Sequence, residues 1–161
     1  MAERLYQTVL SMTNLEGTET VWDLYAGTGT IGMFLAREAK NVTGFELVES
    51  AVDNARENAR SHGLDNITFR QGDILEELHR EPGHPQIIVT DPPRAGMHEK
   101  VTLQIAELGP ERIIYVSCNP TTLARDLSLL TDRYRVIDVQ PVDMFPHTYH
   151  IETVVRLDRI E

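Results

Sequence analysis

Between residues 20 and 130, short apolar runs alternate with helix-forming segments, and no other feature restricts the fold as tightly. TVWDLYAG reads as a buried strand, with a helix over TIGMFLAREAK behind it. NVTGFEL is a second strand, and SAVDNARENARSHG then reads as a helix with Ser50 as N-cap, Asp53 in its first turn and Gly63 as C-cap. ITFRQGD and ILEELHR repeat the strand–helix pattern, and QIIVTDPP is a fourth strand stopped by Pro92 and Pro93. HEKVTLQIAELG is a helix and RIIYVS a fifth strand; Asn119 caps a helix over TTLARDLSLL, with Pro120 at its favoured first position. The end departs from the pattern. YRVIDVQPVDMF and HIETVVRLDR have no helix between them and are expected to pair antiparallel. Parallel strands need crossover connections, which the intervening helices supply. The expected fold class is α/β: an open, mostly parallel seven-stranded sheet with helices on both faces, finished by a C-terminal antiparallel hairpin.

A chain of 161 residues is expected to form a single domain with a sizeable core. Its one cysteine rules out an internal disulfide, and no Cys/His spacing suggests a metal. No apolar run has the length of a membrane span, and MAERLYQTVLSM lacks a signal-peptide layout, so a cytoplasmic location is expected. The net charge of −10, with Lys40 and Lys100 as the only lysines, argues against an autonomous nucleic-acid binder, which would need clustered cations.

In such sheets ligands bind beyond the carboxyl ends of the strands, and the distinctive motifs all fall there. DLYAGTGTIG places Gly27, Gly29 and Gly32 at G-x-G-x-x-G spacing, with Glu46 ending the next strand. Alone, that loop fits NAD nearly as well as S-adenosylmethionine. Asp23, Glu46, Asp73 and Asp91 together rim the expected site with carboxylates. They would repel a dinucleotide's pyrophosphate but attract a sulfonium and an ammonium, which favours S-adenosylmethionine. TDPPRAGM stiffens the turn that aims Asp91 and leaves Arg94 placed for a phosphate or a base carbonyl. Cys118 has two local readings, a small soft core filler or a thiol activated by the helix behind it.

DPPRAG, IIYVSCNPTT and DMFPHTYHIE, in that order, resemble the signature blocks of the RNA uracil-5-methyltransferase family, and DLYAGTGTIG resembles its cofactor loop. The resemblance implies a Rossmann-like class I methyltransferase with Cys118 as nucleophile and Glu152 as general base. It implies cofactor contacts from Tyr25, Gly27, Thr30, Glu46, Asp73 and Asp91, with S-adenosylmethionine as the cofactor. HTYHIETVV is closer to the ribosomal branch, which implies a uridine of 23S rRNA, with tRNA as the alternative. The family's N-terminal RNA-binding barrel and cluster-binding cysteines have no counterpart here. The expectation is therefore a catalytic fragment, residues 1–161, that meets RNA mainly through a missing N-terminal region and carries no metal.

The chemistry explains why those residue types are needed. Uracil C5 is a poor nucleophile until a thiolate adds at C6 and pushes electron density onto it. A base must later remove the C5 proton. Glu152, His147 and His150 all qualify on residue type, and the resemblance selects Glu152. Amide groups after Asn119 are expected to favour the thiolate. Phe145, Tyr149 and Arg125 are candidates for stacking on a flipped base or holding its phosphates. His62, His79, His84 and His98 are expected to be ordinary surface histidines.

Overall fold

Strand β1 (Thr20–Leu24) is buried from Val21 to Leu24 because both faces of the sheet around it are covered. The structure is a computed structural model that describes residues 2–144 and 151–160. β1 pairs in parallel with β2 (Asn41–Glu46) on one side and β4 (Ile87–Thr90) on the other. β3 (Ile67–Gln71) extends one edge beyond β2, and β5 (Arg112–Ser117) follows β4 in parallel. β7 (Ile151–Arg159) then runs antiparallel between β5 and β6 (Tyr134–Asp143). The described residues thus form a seven-stranded sheet of order β3-β2-β1-β4-β5-β7-β6. Strand order reverses between β1 and β4, which puts the ligand crevice at their carboxyl ends.

Helices α1 (Ala2–Thr13), α2 (Thr30–Ala36) and α3 (Glu49–Ser61) pack one face around Leu35, Val42, Val52 and Ile114. Helices α4 (Ile74–Arg80), α5 (Glu99–Leu108) and α6 (Pro120–Ser128) pack the other around Trp22, Phe45, Ile105 and Tyr115. Helix α1 was not anticipated. Its buried side chains, Leu5, Val9 and Met12, recur at helical spacing and lie on the sheet. Burying each contributes about 1.5–3 kcal/mol.

Several helix boundaries differ from expectation: the C-cap of α3 is His62, with Gly63 one step beyond it at φ +65°, and α6 ends at Ser128 rather than Leu130. Helix α3 starts at Glu49, so Ser50 is inside it and Val48 occupies the cap position without a side-chain bond. The Val48 amide is satisfied instead by Glu46 Oε1 at 2.9 Å. Helix α2 ends at Ala36, four residues early, because Ala39 turns back to Leu35 and Lys40 is drawn to the Glu19 carbonyl beside β1. The exposed edge strand β6 carries a register shift at Val136/Asp138 and Pro141, two devices that discourage pairing with another chain. Among the described residues no helix is long and apolar enough to cross a membrane.

Candidate active site

The glycine loop begins with strain. Tyr25, directly after β1, has φ +60°, a left-handed conformation that costs an aromatic residue about 1–2 kcal/mol. It is held there because the next amide, Ala26 N–H, donates to Phe45 O at 2.9 Å, and Gly27 N–H donates to Glu46 Oε2 at 2.9 Å. Glu46 thus ties the glycine loop with one oxygen and the β2–α3 turn with the other. Asp73 caps α4 by accepting the Leu75 N–H at 2.8 Å.

Two cavities open at the switch point. The larger, about 630 Å³, has Glu46, Asp73 and Asp91 as its carboxylates and Val48, Ile74 and Pro93 among its apolar walls. The smaller, about 290 Å³, is lined by Asp23, Gly27, Thr30 and Glu152, with Leu5 and Tyr6 of α1 as a further wall. Tyr25 and Asp91 line both, so they mark the join. All six residues expected at a cofactor therefore line one cavity or the other. Sequence reading missed the α1 wall. It also missed His98, which is not an idle surface histidine: its Nδ1 accepts the Lys100 N–H as the cap of α5, beside the larger cavity.

Asp23 is 1% exposed. Its Oδ2 accepts the Gly32 N–H at 2.9 Å, and a Cβ on Gly32 would come within 2.9 Å of that same oxygen. Its Oδ1 has no hydrogen-bond partner among the described residues. Burial, reinforced by the charges of Asp91 and Glu46, pushes the Asp23 carboxyl up to about 8. Burial and the facing Glu152 push Asp91 up to about 7. Both groups hold a proton in the folded chain over a range where the unfolded chain has lost it. Their contribution to stability is present below about pH 4 and is lost as pH rises towards 7 and 8. Asp23→Asn removes the larger of these losses. Its thermal midpoint is expected to gain on the parent's steadily between pH 5 and about 8.5; parallel curves would show Asp23 ionised throughout.

Cys118 is a free, partly exposed thiol immediately beyond β5. Its turn is clamped by Ser117, whose hydroxyl accepts the Asn119 N–H at 3.0 Å and donates to Asn119 O at 2.9 Å. The last β5–β7 pair is Ser117 with Thr153, so one further step brings Cys118 level with Glu152. The expected amide support needs correcting. Pro120 has no N–H, and the first donor behind it, Thr121 N–H, is taken by Asn119 Oδ1 at 3.0 Å. Arg125, a candidate for RNA contact, already has partners within the protein. Its Nη2 donates to Ala95 O and Met97 O and its Nε and Nη2 grip Asp126, so these two nitrogens serve the protein. Arg94 has an exposed side chain with no bond or ion pair among the described residues. Phe145, His147, Tyr149 and His150 lie outside the described residues.

The model of the family described as tRNA (Uracil-5-)-methyltransferase matches residues 74–160. The chain belongs to this family. A methyltransferase small-domain model also matches residues 4–111. Among curated relatives, one from Bacteroides thetaiotaomicron, named an uncharacterized RNA methyltransferase, is 49% identical over 98% of this chain and 36% of its own length. Another of that description, from Caldanaerobacter subterraneus, is 48% identical over 98% of this chain and 35% of its own. The chain thus spans about a third of the curated relatives it matches. The solved tRNA (uracil-54, C5)-methyltransferase of Pyrococcus abyssi, in complex with S-adenosyl-L-homocysteine, superposes with a TM-score of 0.84 at 36% identity, over 96% of this chain and 37% of that one. A precorrin-6y C5,15-methyltransferase from Geobacter metallireducens has a TM-score of 0.80 at 16% identity, covering 96% and 87%, and shows only that the fold is common.

Proposed function

We propose that residues 1–161 are the catalytic domain of an S-adenosylmethionine-dependent RNA methyltransferase that methylates uridine at C5. The observation that carries this is the orphaned Asp23 Oδ1, buried beside the smaller cavity without a donor. A ligand ammonium would supply both the missing hydrogen bond and a compensating charge. A pyrophosphate would meet Glu46 and Asp73 with like charge and oppose ionisation of Asp23 and Asp91, whereas an ammonium would favour it, so a dinucleotide is disfavoured in the same loop. Glu46 and Asp73 beside apolar walls suit a nucleoside, so the residues present fit the cofactor.

When bound, S-adenosylmethionine supplies an electrophilic methyl group. The chain's own residues prepare the other partner. The Cys118 thiolate adds to uracil C6, and the C5–C6 electron pair moves towards C5 and O4 as an enolate. After C5 has gained its methyl group, Glu152 removes the C5 proton, the double bond re-forms, and the S–C6 bond breaks to return the thiolate. Arg94, exposed beside the turn that carries Asp91, is placed to hold an RNA phosphate or base carbonyl.

A 5-fluorouridine RNA tests the reading, because fluorine cannot leave as a proton. With S-adenosylmethionine it is expected to leave a covalent protein–RNA adduct that survives denaturing electrophoresis; no adduct, from this chain or a longer protein containing it, would count against the reading. Glu152→Gln is expected to accumulate adducts on ordinary uridine and to lower turnover on the order of 10²–10⁴-fold. Unchanged turnover would move the base elsewhere.

The target RNA is proposed to be 23S rRNA, on the HTYHIETVV block. The tRNA alternative is favoured by the 36% identity to the Pyrococcus abyssi enzyme. Mass mapping of modified RNA from a deletion strain separates the two.

A further inference from the structure

Only long contacts tie the turn after β4 to the neighbouring strands: the Thr90 hydroxyl donates to Met97 Sδ at 3.4 Å and Asp91 N–H donates to Leu24 O of β1 at 3.3 Å. The last β4–β5 pair is Thr90 with Tyr115, so Asp91 to Met97 and Cys118 all leave the sheet with no ladder between them. Side chains following Cys118 supply the missing connection. The Arg94 carbonyl accepts from Asn119 Nδ2 at 3.2 Å and from Thr122 Oγ1 at 3.1 Å. Arg125 Nη2 donates to Ala95 O and Met97 O, each at 3.0 Å. Asp126, fully buried, accepts the Met97 N–H at 2.7 Å and the Tyr115 hydroxyl at 2.6 Å on Oδ2. Its Oδ1 takes Nε and Nη2 of Arg125. A buried carboxylate is costly unless several donors surround it, and this one has four. Gly96 closes the arrangement: at φ +77°, its Cβ would lie 2.6 Å from both Arg125 Nη2 and Asp126 Oδ2.

We propose that Arg125 and Asp126 are positioning residues that clasp the DPPRAG turn onto the helix behind Cys118, fixing Asp91 and the thiol at one separation. The proposal rests on the functional reading above. Cys118 holds the pyrimidine and Asp91 lies at the cofactor cavities, on different strands, so the reacting carbon and the methyl group meet correctly only if the two turns move as one body. A displacement of about 1 Å between reacting groups can cost on the order of 100-fold in rate.

The test uses Asp126→Asn and Arg125→Ala. Asparagine keeps the size of aspartate, but its amide nitrogen would present donors where Arg125 or the Met97 N–H needs an acceptor. Four quantities are compared with the native chain: S-adenosylhomocysteine affinity, cofactor-independent exchange of the uridine C5 hydrogen, single-turnover methyl transfer and amide exchange at Met97. C5 exchange needs thiol addition but not alignment with the cofactor.

Affinity and C5 exchange are expected to stay within about threefold, while methyl transfer falls on the order of 100-fold. Met97 amide exchange is expected to rise at least about tenfold as its acceptor weakens. A merely structural role would lower all three functional quantities together, and that result, or no loss at all, overturns the proposal. If the native chain shows neither exchange nor transfer, the functional reading fails instead. The clasp is then decided by the amide alone, and unchanged Met97 protection in Asp126→Asn overturns it.

Discussion

Cys118→Ala is expected to lower methyl transfer on the order of 10⁴-fold or more and to abolish the adduct with 5-fluorouridine RNA. The size follows from the chemistry. Without a bond to C6, the C5 carbon has no developed negative charge with which to attack a methyl group. The loss should be confined to chemistry. Cys118 is only partly buried and lines neither cavity, so folding stability should change by less than about 1 kcal/mol and S-adenosylhomocysteine affinity should hold. Because it is the chain's single cysteine, the comparison is clean: thiol-directed alkylation of the native protein should reproduce the mutant's loss. An active Cys118→Ala chain would end the covalent mechanism. Cys118→Ser, nearly isosteric, separates loss of the nucleophile from loss of volume.

Gly29→Ala is expected to destabilise the chain by about 3 kcal/mol, from two separable sources. Gly29 has φ +84°, where a side chain costs about 1–2 kcal/mol. Its Cβ would also lie 2.6 Å from Phe69 Cζ. The ring cannot simply retreat, because it is already packed against Gly44 in β2, where an added Cβ would lie 2.5 Å from Phe69 Cδ1. Overpacking of this kind costs about 1–3 kcal/mol. Gly27→Ala isolates the first source, since Gly27 has φ +54° and no atom within 4 Å of its virtual Cβ. Urea denaturation should therefore rank Gly29→Ala well below Gly27→Ala, and adding Phe69→Leu should recover the steric part only. Equal losses at the two glycines would mean that Phe69 does not constrain the loop.

That result would also explain a motif that is easy to misread. The G-x-G-x-x-G spacing suggests room for a pyrophosphate, yet Gly29 leaves room for Phe69 and Gly32 leaves room for Asp23. Spacing shows that glycine is required but not which neighbour requires it.

Most of the architecture was legible because strand and helix periodicities differ and each break carries its own residue chemistry. The fifth strand, Arg112–Ser117, and the helix Ile74–Arg80 fall where the apolar pattern places them. Asn119 and Pro120 open α6 as their cap chemistry requires. Helix α1 escaped although its apolar residues recur at helical spacing, because it precedes the strand–helix alternation that orders the rest of the chain. The internal bonds of Arg125 were not legible, because a long cation on an exposed helix face looks free until its acceptors are known, and those acceptors include main-chain carbonyls some thirty positions earlier.

By itself the sequence determined the sheet's strand and helix elements, the closing hairpin and the placing of each motif at a strand end, since all of these follow from local periodicity and turn chemistry. Only the tertiary structure decided which carboxylates keep a proton, which glycine faces which side chain, and that Arg125 and Asp126 bind a distant turn. Those depend on burial and on contacts between residues far apart in the chain, and neither is encoded in the spacing of neighbours.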